Sequence, residues 1–113
     1  MWFFRQQKTD FSEKWARIQE LLNLKRESAL KQALLEADKL LDLALKEKRV
    51  KGSTLGERLR SARKFFPEQL YAEIWSAHRL RNKLVHEDEE ILSFQIEKAI
   101  SAFRQALEKL NLL

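Results

Sequence analysis

An all-α fold, an antiparallel up-down bundle of four long helices with one short helix, is what this 113-residue sequence predicts. Apolar residues recur at steps of three and four in segment after segment, which is the period of a helix with one buried face. Two glycines and one proline are too few for the turns of a β-rich chain. No stretch alternates polar and apolar residues as a half-buried strand would. The length suits one domain over residues 1–113, with 1–9 as an N-terminal extension, and such a domain buries roughly two thirds of the surface its unfolded chain exposes. Hydrophobic residues make up 44%, with three Trp and seven Phe, so the chain folds although 35% of it is charged.

The first helix starts at Asp10, where Glu13 three residues on completes a capping-box pattern, and Phe11, Trp15, Ile18 and Leu22 follow on one stripe. After Asn23 a longer element carries Leu30, Leu34, Ala37, Leu41, Ala44 and Leu45, with Gly52 suited to end it. Thr54 and Glu57 form a second capping box, opening a short helix through Leu55, Leu59, Ala62 and Phe66. Pro67 fits the first turn of the fourth helix, where a missing amide proton costs little. The last helix carries Leu92, Ile96, Ala99, Ile100, Phe103, Leu107 and Leu110, with Ser93 or Asp88 as caps. Brief connections favour antiparallel neighbours.

Composition narrows the chemistry. Without cysteine there is no disulfide, no thiolate nucleophile and no sulfur-bound zinc, and two histidines are too few for a histidine-rich metal site. Neither a metal nor a cofactor is expected, and a reducing cytoplasm is the natural compartment. The opening "MWFFRQQ" is too short an apolar run for a signal-peptide core or a membrane span. Trp2, Phe3 and Phe4 are expected to fold back on the bundle or to cover a partner chain.

The net charge of +5 is unevenly distributed. Between Lys46 and Lys64 stand Lys46, Lys48, Arg49, Lys51, Arg58, Arg60, Arg63 and Lys64 against Glu47 and Glu57, so eight positive charges less two negative give +6. Such a segment suits a phosphate-bearing partner, RNA among them, through Arg58, Arg60, Arg63 and Lys64, with His78 nearby on the next helix. The alternative is a solvated face that also complements a helix C-terminus.

The stretch that departs from ordinary amphipathic helix is "LRNKLVHE", residues 80–87. Leu70, Ile74, Ala77, Arg81 and Leu84 share one stripe, so Arg81 lies on or beside the apolar face, where a guanidinium requires an anionic partner. Asn82 and His86 are four apart and would meet on a continuing helix, the amide orienting the imidazole. Arg81 and His86 are roughly 140° apart on an ideal helix, so they share a pocket only in a groove or where the helix ends. Two fourth helices facing each other in a two-fold dimer would supply such a groove. His78 reads as a structural residue before a second pocket imidazole. Tyr71 and Trp75 could stack on bases, although aromatics at this spacing are more often core or dimer interface.

"RNKLVH", Arg81 to His86, in an all-helical chain of this length resembles the HEPN superfamily, the higher eukaryote and prokaryote nucleotide-binding domains. Its mark is an arginine, often followed by a polar residue, with a histidine four to six residues after the arginine. The resemblance in helix order spans nearly the whole chain, while its specific part is these few positions. It implies a metal-independent endoribonuclease assembled across a homodimer, with no cofactor. By that resemblance His86 handles protons while the RNA 2′-hydroxyl attacks the adjacent phosphate, leaving a 2′,3′-cyclic phosphate and a 5′-hydroxyl. Arg81 then stabilises charge on the phosphoryl oxygens, and Asn82 orients one or both. Imidazole is a natural acid or base and a fixed cation a natural stabiliser of such a transition state.

The toxin branch of the superfamily, partnered by minimal nucleotidyltransferase antitoxins, commonly carries a modified tyrosine two residues after the histidine. Asp88 stands there in this chain, which argues against control by that route, although an antitoxin or other protein partner is compatible with the resemblance. The acidic run Glu87 to Glu90 would repel an RNA backbone, or complement the start of the last helix. A second function class follows: a non-catalytic HEPN-like module that dimerises, or binds a partner, RNA or a nucleotide, with the motif as a structural clasp.

Overall fold

The computed structural model describes residues 9–86 and 90–113. Trp2, Phe3, Phe4 and three of the acidic residues, Glu87, Asp88 and Glu89, lie outside the described residues. Five α-helices and no strand occur within them: α1 (Phe11–Asn23), α2 (Glu27–Glu47), α3 (Leu55–Ser61), α4 (Glu68–Lys83) and α5 (Ser93–Lys109), with a 3₁₀ turn at Arg63–Phe65 between α3 and α4. The all-helical reading therefore holds. No described helix is long and apolar enough to cross a membrane.

The longest helix, α2, organises the others. Its apolar face is wide, with Ala29, Leu30, Ala33, Leu34, Ala37, Leu40, Leu41, Ala44 and Leu45 all buried, and α1, α3, α4 and α5 each pack against it. Alanines among the leucines let neighbouring helices come close, and each fully buried Leu or Phe adds about 1.5–3 kcal/mol. From α5, Ile96, Ile100, Phe103 and Leu107 fill the space between α2 and α4. The α1 residues Phe11, Trp15 and Ile18 cover α2 from another side.

At two helix starts the expected cap residue is in place, with only the forward half of each capping box formed, since Glu57 Oε1 accepts from the Ser53 amide rather than that of Thr54. The Asp10 side chain accepts from the Glu13 amide at 3.0 Å, and Thr54 Oγ1 accepts from the Glu57 amide at 3.2 Å. At the last helix the start differs from expectation: Leu92 takes the N-cap position, its amide donating to Gln95 Oε1 at 2.9 Å, and Ser93 is the first helical residue. Asp88, the other expected cap, falls outside the described residues. Pro67 immediately precedes α4 rather than lying in its first turn.

Two further elements end earlier than their patterns suggest. Helix α2 stops at Glu47, well before Gly52, because Arg49 enters the left-handed region at φ 61°. Arg49 N then donates to Lys46 O and Val50 N to Leu45 O, both at 2.9 Å, the paired bonds of a Schellman ending. The short helix α3 stops at Ser61, and Ala62 and Phe66 reach the core through the 3₁₀ turn instead of along a helical face.

Gly52 serves the connection rather than the helix end. With φ at 148° it turns its carbonyl toward the Arg58 guanidinium, which also donates to Asp42 Oδ1 at 2.8 Å. Arg58 is only 6% exposed. This corrects its expected place among surface cations: it ties α3 to α2 from inside. A Cβ on residue 52 would come within 2.7 Å of the Arg58 backbone nitrogen. Gly52→Ala should therefore lower unfolding free energy by about 1–3 kcal/mol in urea denaturation, and an unchanged midpoint would show that the connection relaxes freely.

Candidate functional site

Helix α4 buries Leu70, Ile74 and Ala77, and the next position on that stripe is Arg81. Its partner comes from the neighbouring helix. Asp38 lies on α2 between Leu34 and Leu41 on the apolar face and is 5% exposed, so its carboxylate has almost no water to solvate it. His78 Nδ1 sits 2.7 Å from Asp38 Oδ2, and Arg81 Nε sits 3.6 Å from Asp38 Oδ1. One carboxylate thus meets two cationic or potentially cationic groups a helical turn apart.

The two contacts differ in kind. The His78 contact is a hydrogen bond, whereas 3.6 Å is too long for one, and Arg81 Nε is buried without a hydrogen-bond partner among the described residues. An ion pair at that separation is what compensates its burial. The guanidinium end reaches outward: Nη1 donates to the Asn82 side-chain oxygen at 3.2 Å, and the side chain is 38% exposed. Arg81 also lines a groove of about 750 Å³ beside α1 and α2, with Lys14, Arg17, Lys39 and Glu36 at its edges.

His86 occupies a different setting. Helix α4 ends at Lys83, and the chain goes on through 3₁₀-like turns in which Leu84 N donates to Arg81 O and His86 N to Lys83 O, at 3.1 and 3.0 Å. Such i to i+3 turns place residue 86 over residue 83 instead of over 82. The expected meeting of Asn82 with His86 requires a continuing helix and is replaced by the Asn82 contact with Arg81. His86 is exposed, and its ring has no hydrogen bond or ion pair with the described residues. The structure therefore joins Arg81 both to Asp38 and to Asn82, and leaves His86 apart from them on the turn that follows.

His78 is drawn inward. Its side chain is 15% exposed, bonded to Asp38 and edge-on to Trp75 with ring centroids 6.1 Å apart. It is placed as part of the packing between α2 and α4 rather than on the basic surface with Arg60, Arg63 and Lys64, which are all exposed.

Asp38 is the candidate-site residue that sequence reasoning missed. Its signal was present: in the series Leu34, Ala37, Asp38, Leu41, Ala44, Leu45, a carboxylate occupies a position of the buried stripe. A charge there demands a partner, and Arg81 on its own apolar stripe demanded one too. No His, Cys, Asp or Glu cluster suited to a metal ion occurs among the described residues. No family model, curated protein or solved structure matches the chain.

Removing the shared carboxylate leaves Arg81 Nε buried beside nothing. Asp38→Ala should lower unfolding free energy by about 2–4 kcal/mol. Glu36→Ala, which breaks the exposed 2.9 Å pair with Arg17, should cost less than about 1 kcal/mol. Equal losses in urea titrations of the two variants would refute the difference drawn between a buried and a surface pair.

Proposed function

We propose that this chain is a HEPN-like domain, its long helices arranged as an up-down antiparallel bundle, which pairs as a homodimer and cleaves RNA without a metal. One observation carries the reading: Arg81 is held at Nε by a buried carboxylate while its outer nitrogens reach solvent, and an exposed imidazole with no partner among the described residues follows five residues later at His86. A preorganised cation and an accessible proton carrier are what in-line phosphodiester cleavage requires.

In this mechanism His86, from either protomer, accepts the proton of the RNA 2′-hydroxyl. The 2′-oxygen forms its bond to the adjacent phosphorus as the bond from phosphorus to the 5′-oxygen breaks. That leaving oxygen takes up a proton from water, and His86 returns its own to solvent, giving a 5′-hydroxyl end and a 2′,3′-cyclic phosphate. Arg81 donates to the non-bridging oxygens as negative charge builds on them, and Asn82, hydrogen-bonded to Arg81, fixes the direction of the guanidinium. Val85, Leu92 and Phe94, exposed apolar residues flanking the motif, provide surface for contact between protomers. Activity in the cytoplasm, under an antitoxin or another protein partner, is consistent with this reading.

A specific observation favours a second reading. The contacts of Arg81 and His78 with Asp38 suffice to fasten α4 to α2, so the motif would serve as a clasp in a module that binds without cutting. Incubating end-labelled mixed-sequence RNA with the protein in EDTA separates the two. The ribonuclease reading expects cyclic phosphate ends, with His86→Ala and Arg81→Ala each slowing cleavage by about a hundredfold or more while remaining folded. Intact RNA with the wild type, together with a lower melting temperature for Arg81→Ala, would establish the clasp instead.

A further inference from the structure

Four basic side chains near the junction of α3 and α4 take no part in ion pairing among the described residues. Arg60, Arg63, Lys64 and Arg79 make no salt bridge among the described residues, although each is exposed and Arg17, Arg58 and Arg104 all have carboxylates within 4 Å. Their contacts are with rings. The Arg60 and Arg79 guanidiniums each lie 5.7 Å from the Trp75 ring centroid, and Arg63 lies 5.7 Å from that of Tyr71. Lys64 stands 5.6 Å from the ring centroid of Phe65, which is itself exposed.

The rings are firmly seated. Tyr71 donates its hydroxyl proton to Leu59 O at 3.0 Å, and the tip of the Trp75 indole lies against Gly56 of α3, where an added Cβ would be 3.7 Å away. Tyr71 and Trp75 are edge-to-face with centroids 6.4 Å apart, and both are only half-buried. Anchored aromatics interleaved with guanidiniums that have no acceptor among the described residues are the chemistry that holds an unpaired polynucleotide strand, bases on the rings and phosphates on the cations. Glu68 shares a recess with Arg63, Lys64 and Tyr71, and Glu73 shares another with Arg79, and the four cations outnumber these two carboxylates. Trp75 in turn touches His78, so the face runs by direct contact to Asp38 and Arg81.

We infer that the α3–α4 face, built on Tyr71 and Trp75 with Arg60, Arg63 and Arg79, is a binding track for single-stranded nucleic acid. The inference draws on the ribonuclease reading only in taking RNA as the natural strand. Its test avoids cleavage by using labelled oligodeoxythymidine, which has no 2′-hydroxyl, in fluorescence anisotropy, with oligouridine and a DNA duplex in parallel.

Wild-type protein should bind both single strands more tightly than the duplex. Trp75→Ala and Tyr71→Ala should each raise Kd about tenfold, with Trp75→Phe retaining most of the affinity and thermal melts confirming the fold. Replacing Arg60, Arg63 and Arg79 with Gln, which removes no buried packing, should reduce the log–log salt slope by about 2. Absent binding, equal binding of the duplex, or affinity indifferent to both the ring and the arginine replacements would overturn the inference. Deoxy-strand binding without RNA cleavage upholds the track and removes the ribonuclease; cleavage without ring-dependent binding does the reverse.

Discussion

Asp38 sits on a helical face otherwise made of Leu and Ala, at a depth where a carboxylate without partners would be unfavourable by several kcal/mol. Everything distinctive at the end of α4 follows from satisfying it. The hydrogen bond to His78 and the ion pair to Arg81 set the rotation of α4 about its axis relative to α2, since both residues must face the same carboxylate. With that rotation set, Leu70, Ile74 and Ala77 turn into the core and Arg79 turns outward over Trp75. A leucine in place of Asp38 would pack as well, but would leave this orientation to less directional contacts. Packing determines that α4 lies against α5 and α2, and the carboxylate determines which side chains it presents.

A related arrangement appears where α3 meets α2. Arg58 is buried against Asp42 and the Gly52 carbonyl, so here the guanidinium is the interior group and the carboxylate is nearer the surface. Burying it requires the connection to bend sharply at Gly52, and that bend orients α3 so that Gly56 underlies the Trp75 ring. The two interior ion pairs thus position opposite edges of one surface. One fixes Arg81 and His78; the other fixes the platform for Tyr71 and Trp75.

Much of this was legible in the residues. The helices and their buried faces followed from apolar spacing, and Asp10 and Thr54 marked two starts through side-chain capping. Helix ends were less legible, because Arg49 rather than glycine adopts the left-handed conformation after α2, and local composition does not announce that choice. Charge was read correctly as a sum and incompletely as a distribution: Arg58 looks like its neighbours in sequence but is drawn inside by Asp42, sixteen positions earlier. The pairing of Asp38 with His78, forty positions apart, could not come from periodicity, which reports the face of a residue and not its partner. Arg81 carried the clearest signal, a cation on an apolar stripe, and only the packing of α2 supplied its anion.

The central dependence is that Asp38 and Arg81 act on each other across α2 and α4. A double-mutant cycle measures it directly, from urea unfolding of wild type, Asp38→Ala, Arg81→Ala and the double variant. A favourable coupling of about 1 kcal/mol or more is expected, because each single change strands a partner that the double change removes with it. Additive losses, agreeing within about 0.3–0.5 kcal/mol, would mean that the two residues are independent and that something other than Asp38 holds the end of α4.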